Sequence, residues 1–400
     1  MFEKTGFMPA DILLPRDIDF EKWSVVACDQ YTSQPDYWEE AEKAAGSGYS
    51  SLKLIFPEIF LKDDNSKRIA DINRNMEKYL KDGIFKEYKN SFILVEREIN
   101  GKVREGIVGM VDLEDYDFSA DSKSLIRATE GTVAERIPPR VKIRENAPLE
   151  LPHIMLLIDD RENKVFNSVE KKEKLYDFEL MMNGGKIRGY LAEPSKKTEE
   201  ALLSLFKGDN PLVYAVGDGN HSLATAKTCY ENAKKNYKGD TKNLPQRYAL
   251  AEVVNIHSPA LEFEPIHRVV FDTDAELFKK EMSNFFDLSE DNGQSFVIVE
   301  KGKEEKIFIK NPPHTLAVGS VQKFIDFYIQ KHGGRVDYIH GRDVVMNLSQ
   351  KDNSVGILLD SIDKSSLFEA VAKNGPLPRK TFSMGEANEK RYYIEARKIK

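Results

Sequence analysis

The sequence predicts a mixed α/β fold. Two short, continuously apolar runs, residues 153–158 and 212–216, have the pattern of central strands that are buried on both faces. A helical period follows the second run, with apolar residues recurring every three or four positions up to Gly239. Buried strands and amphipathic helices that alternate along one chain are typical of an α/β core.

Two further elements in the first half are well marked. The helix predicted over residues 66–80 begins at a serine and ends near Gly83, with apolar residues on one face. Residues 91–99 and 103–113 are rich in β-branched and apolar side chains, and the pair Asn100-Gly101 between them favours a type I′ turn. This pattern predicts a β-hairpin.

The second half predicts another α/β unit. Residues 296–300 and 306–310 form a predicted hairpin around Gly302, residues 321–331 a helix that stops at Gly333-Gly334, and residues 355–360 a strand. We therefore expect a catalytic, phosphate-binding lobe over residues 1–260. A C-terminal α/β lobe over residues 261–400 is expected to contribute to the site.

The composition argues against several classes of protein. The formal net charge of −7 opposes general binding to nucleic acid, since that affinity depends on a face rich in lysine and arginine. Two cysteines are too few for a disulfide framework, and no apolar run is long enough to span a membrane. We expect a cytoplasmic protein that binds a small molecule and neither nucleic acid nor membrane; a homodimer is left open.

A glycine-rich segment, Gly217-Asp218-Gly219-Asn220-His221-Ser222, lies between a predicted strand and a predicted helix. Backbone N–H groups at a helix start and the helix dipole favour an anion, and glycines let a phosphate approach closely. Asp218 is suited to hold Mg²⁺ or orient a hydroxyl, and His221 to donate to a phosphoryl oxygen. The alternative is a tight turn in which Asp218 and Asn220 only cap backbone groups.

A basic stretch covers residues 123–144, in a chain that is acidic overall. It contains Arg127, Arg136 and Arg140, whose planar guanidinium groups suit phosphate or carboxylate oxygens. The alternative is a solvated loop with exposed ion pairs.

Asp29, Gln30 and Tyr31 follow an apolar run, residues 23–27, where a strand is expected to end. The histidines show no paired spacing of the kind that binds zinc.

Four motifs together resemble a family of largely uncharacterised bacterial proteins of about this length, uncharacterised-domain family 1015. The motifs are Asp29-Gln30-Tyr31, the stretch from Ile126 to Thr132 with Glu135-Arg136 beyond it, the glycine-rich segment, and Pro378-Arg379-Lys380-Thr381-Phe382. The resemblance covers essentially the whole chain. It implies a ParB/sulfiredoxin-like core elaborated with a second α/β lobe, and phosphate handling as the shared theme.

Within the ParB/sulfiredoxin-like superfamily, the branch that the chain resembles implies a pyrophosphate-dependent kinase of free L-serine, and we expect Mg²⁺ to screen the charge of the donor. By motif position Glu130 would be the base on the serine hydroxyl, and Asp218 would support the site. Many relatives have a second histidine and an arginine in the loop, where this chain has Asn220 and Ser222. Phosphate contacts would then come from Arg127, Arg136, Arg140, Arg379 and Lys380.

The serine-kinase hypothesis also assigns the remaining roles. The backbone of the glycine-rich segment and His221 would hold the transferring phosphoryl group, and Asp29, Gln30, Tyr31, Thr129 and Arg127 would bind the amino acid. Two alternatives stay open: an ATP- or ADP-dependent amino-acid kinase, and a nucleotide-binding module without catalysis, like the partition proteins. No basic recognition helix stands out to favour the second.

Overall fold

The structure, a computed structural model, describes residues 1–28, 31, 34–60, 65–132, 134–378 and 380–400. It divides into two compact units. The first contains Met1–Leu261 and Gly385–Lys400, and the second contains Glu262–Met384. Both combine helices with β-sheet, which confirms the mixed α/β class.

The first unit is built on an eleven-stranded sheet. Its central path runs β5-β6-β11-β8-β12-β4-β3-β10-β9, with β1 paired to β4 and β2 to β3. The strands within Met1–Leu261 are β1 (Phe7–Met8), β2 (Ala10–Pro15), β3 (Phe85–Ile99), β4 (Lys102–Asp112), β5 (Tyr116–Asp117), β6 (Ile126–Ala128), β7 (Leu149–Glu150), β8 (Met155–Ile158), β9 (Lys171–Glu179), β10 (Lys186–Ala192), β11 (Tyr214–Asp218) and β12 (Tyr248–Asn255).

The centre of this sheet is buried on both faces. Successive residues of β3 enter two different hydrophobic clusters, Ile93 and Val95 one of them and Phe92 and Leu94 the other. Side chains alternate between the faces of a strand, so a sheet covered on both sides selects continuous apolar runs. The helices of this unit are α1 (Phe20–Trp23), α2 (Pro35–Ala45), α3 (Ser66–Lys81), α4 (Ile137–Arg144), α5 (Lys164–Ser168), α6 (Lys196–Leu203) and α7 (Asn220–Asn236).

The second unit has a seven-stranded sheet in the order β14-β16-β15-β18-β13-β17, with β19 paired to β13. Its strands are β13 (Phe263–Phe271), β14 (Leu288–Ser289), β15 (Gln294–Glu300), β16 (Lys303–Ile309), β17 (Arg335–His340), β18 (Ser354–Leu358) and β19 (Phe382–Met384). Its helices are α8 (Ala275–Phe285), α9 (Ala317–His332), α10 (Arg342–Leu348) and α11 (Lys364–Asn374).

The locally predicted elements are present. The helix over residues 66–80 is α3, the two hairpins are β3–β4 and β15–β16, and Asn100 and Gly101 have the positive φ angles, 52° and 72°, that a type I′ turn requires. The strand expected over residues 23–27 is wrong. Residues up to Trp23 belong to α1, and only Val25 forms a bridge, to Tyr393.

Residues 385–400, which we call the C-terminal segment, belong to the first unit although the sequence placed them in the C-terminal lobe. The segment ends in β20 (Arg397–Lys398), which pairs antiparallel with β7. Leu13 and Ala396 exchange backbone hydrogen bonds of 2.8 and 3.0 Å. The chain therefore returns to its first unit after completing the second. Among the described residues, no helix is both long and apolar enough to cross a lipid bilayer.

Candidate active site

The glycine-rich segment forms the turn between β11 and α7. Gly219 has a φ of 83° and comes directly before the first helical residue, Asn220. The Asp218 carboxylate accepts a hydrogen bond from the Gly219 N–H at 2.8 Å. A Cβ atom on Gly219 would lie 3.1 Å from the Cα atom of Ile154, so the backbone angle favours glycine and the space for a side chain is tight. The helix start is thus held close to its neighbouring strand.

Glu130 is brought to this turn by strand pairing. β6 and β11 run parallel, with Ala128 opposite Val216, so their carboxyl ends lie at the same edge of the sheet. Just beyond β6, the backbone N–H of Thr129 donates to the Asn220 side chain at 3.2 Å, and the Thr129 hydroxyl donates to the Val216 carbonyl at 2.6 Å. These two contacts tie the residue before Glu130 to the start of α7.

Asp218 has a cationic partner that the sequence did not indicate. The Lys390 ammonium lies 3.5 Å from the second carboxylate oxygen of Asp218, and the two side chains are 15% and 28% exposed. Burial alone would raise the pKa of Asp218, but Lys390, the His153 ring and the Gly219 N–H together lower the pKa below its usual value. The carboxylate is therefore ionised throughout the neutral range.

The rings of His153 and Tyr393 lie beside the turn. His153 lies two residues before the start of β8, which runs antiparallel to β11 and places Met155 opposite Asp218. The Nδ1 atom of His153 is 2.6 Å from the Tyr393 hydroxyl, and its Nε2 atom is 3.5 Å from the hydroxyl of Ser222. The imidazole is thus positioned between the C-terminal segment and the first turn of α7.

The C-terminal segment is fixed by a buried charge network. The Arg391 guanidinium contacts Glu252 of β12 at 2.7 Å and Glu395 at 2.6 Å, and it donates to the carbonyl of Pro152 at 2.9 Å. Burial lowers the pKa of Arg391, but the two carboxylates outweigh burial and raise it above its ordinary value. A buried arginine with this many partners holds Lys390 and Tyr393 in place on either side of it.

The expected phosphate-binding groups lie in different parts of the chain. Gly217, Gly219, Asn220, His221 and Ser222 all lie at the β11–α7 turn, as the sequence predicted. Arg136 and Arg140 lie at and within the basic helix α4, which packs against α7, and Arg140 donates to the Arg136 carbonyl at 2.9 Å. Lys380 belongs to the second unit, and Arg379 lies outside the described residues.

The expected amino-acid-binding groups are less favourably placed. Arg127 is buried and donates to the carbonyls of Ser124 and Asn210, which precede β6 and β11, so its guanidinium points to the amino ends of the strands and away from Glu130. Tyr31 is also buried, with its ring stacked on that of Tyr37 at 3.6 Å between centroids. Asp29 and Gln30 lie outside the described residues. Of the described members of this group, Thr129 is the one seen at the turn.

Three residues at the turn were missed by the sequence reasoning: His153, Lys390 and Tyr393. His153 is the first residue of the strand predicted over residues 153–158 and could have been noted as a strand-end residue. Lys390 and Tyr393 have no local signal, since they follow the second unit and reach the turn only through the return of the chain.

The described residues show no preformed metal cluster, and the large cavity of the first unit lies apart from the turn. No three His, Cys, Asp or Glu side chains among the described residues are arranged to hold a metal ion. Asp218 stays the predicted carboxylate ligand for Mg²⁺. A cavity of about 680 Å³ lies between α2 and α3 and shares no lining residue with the β11–α7 turn.

Comparison with known proteins gives one family. A family model described as "Protein of unknown function (DUF1015)" matches residues 13–328. No curated protein matches the chain.

Solved structures give only distant likenesses. A free serine kinase in complex with AMP is 11% identical, with a TM-score of 0.37, over 73% of this chain and 90% of that one. A mutant free serine kinase in complex with ADP is 11% identical, with a TM-score of 0.39, over 76% and 95%. SbnI with a C-terminal truncation, from Staphylococcus aureus, is 11% identical, with a TM-score of 0.37, over 72% and 82%.

Proposed function

The chain belongs to the family described as "Protein of unknown function (DUF1015)", and we propose that it is a small-molecule kinase. The proposed reaction transfers one phosphoryl group from pyrophosphate to the hydroxyl of free L-serine and yields O-phosphoserine and phosphate. Serine and pyrophosphate come from the resemblance of its motifs to the serine-kinase branch of the ParB/sulfiredoxin-like superfamily. The phosphate-handling chemistry is supported by the site itself.

One observation carries the proposal: a carboxylate-bearing segment is tied to a helix start that suits an anion. The parallel pairing of β6 and β11 and the contacts of Thr129 bring Glu130 to the turn that begins α7. The N–H groups of a helix's first turn have no partner within the helix and, with the helix dipole, attract phosphate. A base next to a phosphate-binding turn is the arrangement that transfer to a hydroxyl needs.

The steps assign one task to each group. Glu130 accepts the proton of the serine hydroxyl, whose oxygen forms a bond to one phosphorus of pyrophosphate while the bridging P–O bond breaks. His221 and the backbone N–H groups of the first turn of α7 stabilise the transferring phosphoryl group. The second phosphate leaves with the bridging oxygen and takes up the proton. The protein's contribution is alignment and electrostatic stabilisation.

Mg²⁺ fits this site when it is bound together with the phosphoryl donor, pyrophosphate. Mg²⁺ usually takes one or two carboxylates and completes its shell with water and phosphate oxygens, so the single carboxylate of Asp218 is sufficient. When bound, the ion screens the charge of pyrophosphate.

The test is a donor and acceptor panel with the purified full-length protein. Pyrophosphate, ATP and ADP are each offered with serine, threonine, homoserine or no acceptor, and phosphorylated amino acid and phosphate are both quantified. We expect phosphoserine and phosphate in equal amounts from serine and pyrophosphate.

Other outcomes decide between the alternatives. Phosphoserine from ATP or ADP alone would support the nucleotide-dependent kinase. Binding of a nucleotide without any phosphorylated product would support the non-catalytic module. The Glu130→Gln variant serves as the control for contaminating kinases, because it should lose the activity of the chain itself.

A further inference from the structure

We infer that Lys390 is a further phosphate-binding residue of this site and that the buried Arg97 is the residue that positions it. The inference rests on the proposed function for the identity of the anion, here inorganic pyrophosphate. Neither residue carries a sequence motif, and both are assigned from their contacts alone.

Electrostatics at the turn requires a cation. An ionised carboxylate beside an anion site repels the anion, and Asp218 lies directly at the start of α7. The Lys390 ammonium, 3.5 Å from Asp218, cancels this charge at the place where the donor would enter. Its side chain is mostly buried, at 15% exposure, so its field is screened less than that of a surface lysine. Lys390 thus makes the turn acceptable to a polyanion.

The backbone of Lys390 is held by the guanidinium of Arg97, which is 2% exposed on β3. Nη1 donates to the carbonyls of Glu389 at 2.8 Å and Lys390 at 2.5 Å, and Nη2 donates to that of Asn388. Nε and Nη2 also donate to the Gly184 carbonyl at 3.1 and 2.9 Å. These contacts use all five N–H donors of one arginine, a number that lysine cannot match.

The next residue is fixed as firmly. Arg391 is locked between Glu252 and Glu395, so the chain is anchored at the Lys390 carbonyl and again one position later. A long lysine side chain normally loses rotamer entropy when it binds an anion. Anchoring its backbone on both sides reduces the motion that binding must still restrict, which is how a binding group is preorganised.

The first test compares charge at Lys390 with charge elsewhere on the same segment. Lys390→Met should raise the Kd of pyrophosphate, measured by calorimetry, and its KM by at least tenfold, with a smaller change in kcat. Lys390→Arg, which keeps the charge, should restore most of the affinity. Lys398→Met is the matched control, because Lys398 lies on the same segment but pairs with Glu87 at the surface; it should bind like the unmodified protein. Unchanged pyrophosphate affinity in folded Lys390→Met would overturn the inference.

The second test separates positioning from simple stabilisation. Arg97→Lys should lower the melting temperature whatever its role, so pyrophosphate affinity is measured well below that temperature in two backgrounds. If Arg97 acts through Lys390, Arg97→Lys weakens binding in the unmodified chain but adds nothing in Lys390→Met. Equal weakening in both backgrounds would make Arg97 a structural residue only.

Failure of this inference differs from failure of the proposed function. An active enzyme with unaltered donor affinity in Lys390→Met keeps the kinase and removes Lys390 from the site. Pyrophosphate binding that depends on Lys390, in a protein that forms no phosphorylated product from any acceptor, keeps the inference and removes the kinase.

Discussion

Replacing Asp218 with Asn tests the centre of the site, because it removes one negative charge and keeps the shape. Asparagine retains an oxygen that can accept the 2.8 Å hydrogen bond from the Gly219 N–H. At 3.5 Å from Lys390, the lost attraction is about 5 kcal/mol for an effective dielectric constant of about 20. Desolvation and partial exposure offset most of it, so the free energy of unfolding should fall by roughly 1–2 kcal/mol.

Binding should respond in opposite directions with and without magnesium. Without Mg²⁺, removal of one unit charge beside the anion is worth about 1 kcal/mol, so pyrophosphate should bind roughly fivefold more tightly. With Mg²⁺, loss of the carboxylate ligand should weaken donor binding, and kcat should fall by about two orders of magnitude or more.

Calorimetry in both conditions, beside steady-state kinetics and urea denaturation, measures all of these quantities. The pH profile adds an independent check: the depressed pKa of Asp218 means that its ion pair with Lys390 is lost only as the solution becomes strongly acidic. Near-normal kcat with unchanged affinity in both conditions would show that Asp218 merely caps the turn, and the proposed role would be abandoned.

Three further changes probe other parts of the chain. Glu130→Gln should lower kcat by about 10²- to 10⁴-fold while pyrophosphate affinity in calorimetry stays the same, and a variant with near-normal kcat would end its candidacy as the base. Gly219→Ala should destabilise the protein by about 1–3 kcal/mol in urea denaturation because of its φ of 83°, whereas Gly131→Ala, with open space around it, should be nearly neutral; similar stabilities for the two would refute the strain argument. Burial and then the neighbouring Asp112 raise the pKa of Asp115 to about 6, so the native state binds an extra proton and loses stability as pH rises from about 4 through 6. Asp115→Asn should therefore be more stable by roughly 2 kcal/mol at pH 8 and no different below pH 4, and an effect that grows in acid would contradict this sign.

The features that sequence predicted well are local. The turn at Gly219, the Asn100-Gly101 hairpin and α3 follow from backbone preferences and apolar spacing within about 20 residues. The proximity of Glu130 to this turn was expected only from the family resemblance, since the pairing of β6 with β11 joins segments far apart in the chain. The structure supplies the physical link in the contacts of Thr129.

The features that could not be predicted from the sequence depend on the direction in which side chains point and on contacts between segments that are far apart in the chain. The basic stretch identified Arg127 as a cation, but only the strand geometry shows that its guanidinium faces Ser124 and Asn210, away from the turn. The C-terminal segment has few regular elements, and no local pattern separates it from the predicted C-terminal lobe. Its burial depends on partners such as Glu252 and Arg97, which no local pattern connects to it.

Because the C-terminal segment follows the second unit in the chain, its residues join the site later in synthesis than the others do. During translation, β11, α7 and Glu130 leave the ribosome well before the second unit, but Lys390 and Tyr393 emerge only after all of Glu262–Met384 has been made. A nascent or prematurely terminated chain therefore lacks the cation at Asp218, and the buried Glu252 keeps Arg104 at 4.0 Å but loses its closer partner, Arg391 at 2.7 Å. The cation at Asp218 is therefore acquired only after the whole second unit has been synthesised.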